Sequence, residues 1–120
     1  MNEQLLCYLP GPMNASGILD RVCREQGVRM VPVSPAQGGQ TLAALLGLAP
    51  LAADPPRTVP RAPVLVLCGF TQERMELFLD RLGQEKLPPV LKAMLTPTNL
   101  GWTLAALAEE LVRERSELGG

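Results

Sequence analysis

Val64-Leu65-Val66-Leu67-Cys68-Gly69-Phe70-Thr71 is the stretch on which the fold turns. Its apolar run is short and closed by a glycine, the pattern of a strand buried on both faces. Thr71 then offers an oxygen to cap a helix in which Met75, Phe78, Leu79 and Leu82 follow the 3.6-residue period. Glu73 and Glu76 lie near the positive end of that helix. Further on, Pro88-Pro89 is expected to break it, and residues 90–95 to form a strand with Lys92 as its one polar position. Gly101 or Thr103 then opens a last helix, which buries Leu104, Leu107, Ala108 and Leu111 and exposes Glu109, Glu110, Arg113 and Glu114.

Towards the N-terminus the same order of elements is met. Residues 4–9 read as a strand entering a turn at Pro10-Gly11-Pro12. Asn14 or Ser16 can cap a helix with Ile18, Leu19, Val22 and Cys23 on one face, and Gly27 stops it. Residues 28–33 form a second strand; Pro32 cannot donate to a ladder, which assigns this strand to a sheet edge. Residues 41–48 read as a short apolar helix. Between the two halves, residues 50–63 hold five prolines with Arg57 and Arg61, an extended, semi-rigid connector.

The two halves match in detail. Leu6-Cys7, Leu19-Asp20-Arg21, Glu25, Pro35, Gly39 and Thr41-Leu42-Ala43-Ala44-Leu45 are followed, in order, by Leu67-Cys68, Leu79-Asp80-Arg81, Glu85, Pro97, Gly101 and Thr103-Leu104-Ala105-Ala106-Leu107. The offset drifts only among 61, 60 and 62, the mark of a long-period internal repeat. The expected fold is α/β: a four-stranded sheet built from two tandem βαβα repeats, strand order 2-1-3-4, with helices on both faces. The uniformly apolar first and third strands take the centre. A ferredoxin-like α+β sheet with extra helices also centres strands one and three, and it is the alternative. One domain over residues 1–120 is expected, with repeat one at 4–49, the connector at 50–63 and repeat two at 64–118.

Composition narrows the chemistry. The 120-residue chain is 47% hydrophobic and 19% charged, so it reads as globular and long enough for one core. Its net charge is −1 and its eleven basic residues are dispersed, which argues against nucleic acid as a partner. Cys7, Cys23 and Cys68 sit in apolar runs and no export signal precedes them, so the expectation is a cytoplasmic protein with buried thiols. The apolar stretch 42–53 is too short for a membrane span and is interrupted by Pro50. The absence of histidine removes histidine triads and histidine metal sites, and no C-x-x-C pair suggests zinc. No metal and no cofactor are expected.

With a parallel sheet, the loops at 10–14, 34–40, 69–71 and 96–102 would crowd one edge, where open α/β sheets bind ligands. Thr96-Pro97-Thr98-Asn99-Leu100-Gly101-Trp102 is the richest of them, offering two hydroxyls, an amide and the amides of a helix start. Lys92 adds a positive charge and Trp102 a stacking face. The candidate ligand-binding residues are therefore Lys92, Thr96, Thr98, Asn99 and Trp102, for an anionic metabolite or nucleotide. Met30, Ser34, Ala36, Gln37 and Gln40 occupy the matching places in the first half. Thr-Pro-Thr-Asn also suits a purely structural turn and helix cap.

The block Lys92-Ala93, Leu95-Thr96-Pro97-Thr98-Asn99 and Trp102-Thr103-Leu104, preceded by Cys68-Gly69-Phe70, resembles a small family of functionally uncharacterised prokaryotic proteins with a similar Lys–Thr-Pro-x-Asn–Trp segment. The resemblance covers about residues 64–115 and implies that these residues matter, with no activity to carry over. Three functions follow as expectations. The first is a non-enzymatic ligand-binding or regulatory protein. The second is a protein–protein adaptor using the 41–48 helix and the connector. The third is an enzyme using Cys68 or Thr98. A homodimer is a further expectation, since a two-unit domain can pair by another two-fold.

Overall fold

The computed structural model describes residues 2–10 and 15–117. Its elements are β1 (Gln4–Tyr8), α1 (Ala15–Gln26), β2 (Arg29–Pro32), a 3-10 turn (Pro35–Gln37), α2 (Leu42–Leu45), β3 (Val64–Cys68), α3 (Gln72–Leu82), β4 (Leu91–Met94) and α4 (Leu104–Glu117). The strands form one sheet in the order β2-β1-β3-β4, as the apolar pattern requires. The sheet is mixed: β1–β2 and β3–β4 are parallel, whereas β1 and β3 are antiparallel. Two βαβα units therefore lie side by side in opposite directions. The parallel centre that would crowd all the loops at one edge is not formed. Nor is a ferredoxin-like sheet, because the two strands of each unit are parallel neighbours.

The side-chain alternation of the central strands builds two cores. Leu5, Cys7, Leu65 and Leu67 face α1 and α3, packing with Leu19, Val22, Phe78 and Leu82. Leu6, Tyr8, Val64, Val66 and Cys68 face the opposite side, with Leu42, Leu104, Leu107 and Ala108. Burial on both faces explains why, apart from Gln4 at the start of β1, these strands are built of apolar residues and one tyrosine. Phe78 is wholly buried and meets Phe70 edge to face at 5.4 Å, so Phe78→Ala would cost about 3–5 kcal/mol.

The register corrects the sequence match at one place. Leu6 pairs with Val66, and both belong to the α2/α4 core. Aligning Leu6-Cys7 with Leu67-Cys68 puts partners on opposite faces, since Cys7 and Cys68 lie in different cores. A one-residue slip in a strand inverts every side chain. The geometry equates Leu6 with Val66, an offset of 60, which is also the offset of Arg21 to Arg81. Two symmetric ion pairs follow on the α1/α3 face: Arg21 with Glu85, and Arg81 with Glu25 at 2.6 Å.

Local signals account for most boundaries. Thr71 accepts a hydrogen bond from the Arg74 amide (3.1 Å), and Gly27 closes α1 in the left-handed region at φ 71°. Thr103, not Gly101, caps α4, accepting from the Ala106 amide at 3.1 Å. Ser16 lies inside α1, and the alternative cap Asn14 lies outside the described residues. α3 ends at Leu82, before Pro88-Pro89. The expected 41–48 helix is a single turn, ended after Leu46 by Gly47 at φ 77°. The strands expected at 28–33 and 90–95 are four residues each, Arg29–Pro32 and Leu91–Met94. Among the described residues, no helix is long and apolar enough to cross a membrane.

Candidate functional site

The 96–102 segment begins where β4 ends, and its polar groups bond to one another. The Thr96 amide donates to Asn99 Oδ1 (2.8 Å), and the Asn99 amide donates to Thr96 Oγ1 (3.1 Å). This reciprocal pair is a capping box in form. Asn99 Nδ2 donates to the Met94 carbonyl (3.0 Å), and the side chain is 7% exposed. In the first half, Gln37 Oε1 likewise accepts from the Ser34 amide at 2.9 Å. Thr-Pro-Thr-Asn thus has a structural role, in which the exposed Thr98 hydroxyl takes no part.

The amides at the start of α4 are spent as well. Leu104 N–H donates to the Gln40 carbonyl (3.2 Å) and Ala105 N–H to the Gly38 carbonyl (3.0 Å). The first half mirrors them: Leu42 N–H donates to the Trp102 carbonyl (2.9 Å) and Ala43 N–H to the Leu100 carbonyl (3.0 Å). Thr41 and Thr103 form an antiparallel bridge at the centre of this exchange. Orphan donors at a helix start need partners. Here each unit's loop supplies carbonyls to the other unit's helix, so the donors assigned to an anion are already engaged.

The candidate residues separate in space. Lys92 pairs with Leu65 across the ladder and lines a groove with Leu79 and Leu82 on the α3 side of the sheet. Trp102 packs, half-buried, against the opposite core. Thr96, Asn99 and Trp102 are brought together in one turn, while Lys92 projects from the other face of the strand. The groove beside Lys92 has a volume of about 490 Å³. Its walls are Leu79, Leu82, Leu87 and Val90, with Lys92 and Arg115 as cations. Glu85 also reaches it, already bridged to Arg21 and Arg81.

Sequence reasoning missed the packing of the connector. Gln40 is 7% exposed, and its carboxamide clamps Ala52 in both directions, accepting from the Ala52 amide (2.8 Å) and donating to the Ala52 carbonyl (2.9 Å). Beside it the connector lies against two glycines. A Cβ on Gly39 would fall 1.9 Å from the Pro56 carbonyl oxygen, and one on Gly38 would fall 2.5 Å from Pro60 Cδ. The Gly38-Gly39 pair was the available signal. The connector leaves Leu51 and Val59 each 59% exposed.

The thiols are sequestered. Cys68 is wholly buried, and burial pushes its thiol up to about 12; Cys23 is raised to about 11 and Cys7 higher still, again through burial. A nucleophilic role needs an accessible thiolate, and Cys68 offers none. Among the described residues no group of three or more metal-ligating side chains gathers.

Residues 63–118 match a family model described as Domain of unknown function (DUF3783). The match begins one residue before β3, runs through α4, and contains the whole Lys92–Trp102 block. Comparisons with curated proteins and with solved structures gave no match.

Proposed function

We propose that the chain is a two-unit, non-enzymatic protein-interaction module. The observation that carries this reading is the groove beside the start of β4. Leucine, proline and valine side chains line it together with Glu85 and two cations, while the polar groups of the neighbouring Thr96–Asn99 turn and α4 start are consumed internally. A concavity of mixed apolar and charged lining suits a partner surface. The buried thiols support an intracellular, reducing setting and speak against chemistry at Cys68. In this reading the first βαβα unit is the fixed companion of the second, occupying the place a second copy would take in a dimer of single units.

The alternative is an anionic metabolite or nucleotide at Lys92, Thr96, Thr98, Asn99 and Trp102. It draws on the exposed Lys92 and Thr98, but the helix amides would contribute nothing to it. Two measurements separate the readings. A photo-crosslinking residue at position 92, in the cells that make the protein, is expected to give a protein adduct of defined mass, with none from a control at exposed Arg24. Titration with phosphate, nucleotides and carboxylates is expected to leave the melting temperature unchanged. A ligand-dependent rise abolished by Thr98→Ala, with no adduct at position 92, would overturn the interaction reading.

A further inference from the structure

The two outer strands of the sheet are not equally closed. Leu91 and Leu95 donate inward, to the Pro63 carbonyl at 3.0 Å and the Leu67 carbonyl at 2.9 Å. Strand alternation therefore turns the amides of Lys92 and Met94 outward, away from β3. On the other edge, Arg29 and Val33 donate inward to the Glu3 and Cys7 carbonyls (3.0 and 2.8 Å). The outward positions there are Met30 and Pro32. Pro32 has no N–H, a common way to blunt an edge. Its counterpart 62 residues on is Met94, which keeps its N–H. Only the far end of β4 is closed, where Asn99 Nδ2 takes the Met94 carbonyl.

Concavities flank this open edge on both sides. The groove already described lies on the α3 side, and a second, of about 230 Å³, lies on the α4 side between Pro63, Leu91 and Val112. Arg115 and Val90 line both. A strand laid along β4 would thus find a recess for each face of its alternating side chains. The groove also gathers two cations. Among the described residues Arg21, Arg24, Arg61, Arg74, Arg81 and Arg113 all have a carboxylate partner. Of the basic residues with none among the described residues (Arg29, Arg57, Lys86, Lys92 and Arg115), Lys92 and Arg115 lie together at the groove.

Resting on the interaction reading, we infer that β4 accepts an extended acidic segment of another protein by strand addition. The Lys92 amide and carbonyl and the Met94 amide supply the ladder. Carboxylates on the added strand meet Lys92 and Arg115 on the α3 side, and its alternate, apolar side chains enter the recess between Pro63, Leu91 and Val112 on the α4 side. A second copy of this chain is disfavoured. Antiparallel pairing of two β4 edges brings the two Lys92 side chains opposite each other or to neighbouring positions on one face, and like charges so placed repel. Lys92 thus discriminates against self-pairing and selects an acidic strand.

The probe is the blocked peptide Thr-Val-Glu-Val-Glu-Val-Thr at millimolar concentration, with its Glu-to-Lys counterpart as control, followed by amide hydrogen exchange of the full chain. The acidic peptide is expected to slow exchange at Lys92 and Met94 at least tenfold, and the basic one to leave it unchanged. Met94→Pro reproduces the state of Pro32 on the opposite edge. It should keep the melting transition and abolish protection at position 92. Lys92→Glu should reverse the peptide preference. Equal protection by both peptides, no protection by either, or binding that survives Met94→Pro in a folded protein would overturn strand addition. Protection of these amides without peptide that grows with protein concentration would assign the edge to a second copy and overturn it too. If position 92 still crosslinks to a protein after such a failure, the interaction reading stands and only the strand-addition geometry falls.

Discussion

Gly39 and Gly101 hold matching places in the two units, two residues before the threonine that caps each short or long helix. Around Gly101 a Cβ would meet nothing within 4 Å, whereas around Gly39 it would strike the Pro56 carbonyl at 1.9 Å. The two loops share one hydrogen-bonding scheme and one sequence pattern. Only the first is roofed by the connector. The same glycine is therefore a packing requirement in one unit and a spacer in the other, a reminder that matched residues share local geometry without sharing tertiary surroundings.

The sharpest test of that contrast is alanine at both positions. Gly39→Ala is expected to destabilise by about 3 kcal/mol or more, because the obstructing atom is backbone and cannot rotate away. Gly101→Ala has open space and a backbone conformation that alanine tolerates, so it should change stability by less than about 1 kcal/mol, towards stabilisation. Denaturant melts of the two variants measure the difference. Equal losses would show that the connector does not press on the first loop in solution.

Next in size is the pair Asn99 and Gln37. Asn99 is buried, and its side chain accepts from the Thr96 amide and donates to the Met94 carbonyl, so Asn99→Ala should cost about 2–3 kcal/mol through unpaired backbone groups. Gln37 is less enclosed and accepts only from the exposed Ser34, through its amide and hydroxyl, so Gln37→Ala should cost about 1 kcal/mol or less. Gln40→Ala releases both Ala52 bonds and should cost about 1–2 kcal/mol. It should also raise protease cleavage within residues 50–63, an effect no change at Trp102, its counterpart, would produce.

The smallest effect is electrostatic. Arg74 grips Glu3 through two hydrogen bonds of 2.8 and 2.9 Å, and this contact holds the Glu3 carboxyl below its ordinary 4.5. The second unit has Pro63 in the place of Glu3, so the pair exists once. A lowered carboxyl stabilises the folded state above the ordinary value, and the gain is lost as pH falls through the folded value. The melting temperature should therefore fall between pH 5 and roughly pH 3 in part through this pair. Glu3→Gln should flatten that portion of the profile while leaving the rest unchanged.

Much of the scaffold was legible because its signals are local. Runs such as Val64 to Cys68 announce a doubly buried strand, and Thr71 and Thr103 announce helix starts through a side-chain oxygen that acts within three residues. The order 2-1-3-4 followed from asking which strands are apolar on both faces. The site was less legible. Thr96, Asn99 and Trp102 have the residue types of a ligand site, yet their bonds and contacts are made with one another, Met94, Leu42 and the α2/α4 core. A polar turn that caps a helix and one that binds an anion use the same residue types, so composition cannot separate them. Arg21, Glu25, Arg81 and Glu85 were visible as matched letters, but their cross-pairing needed the two helices to lie antiparallel.

By itself the sequence determined the order of the elements, the cap at Thr71, the two-unit plan and the placing of β1 and β3 at the centre, because propensity, capping and burial periodicity act over a few residues. Three things were left to the tertiary structure. These are the opposite directions of β1 and β3, the exchange of carbonyls between the loops before α2 and α4, and the contrast between an edge closed by Pro32 and one left open at Lys92 and Met94. Each depends on which groups of distant segments come within hydrogen-bonding distance. A donor is spent or available only once its neighbour across the fold is known.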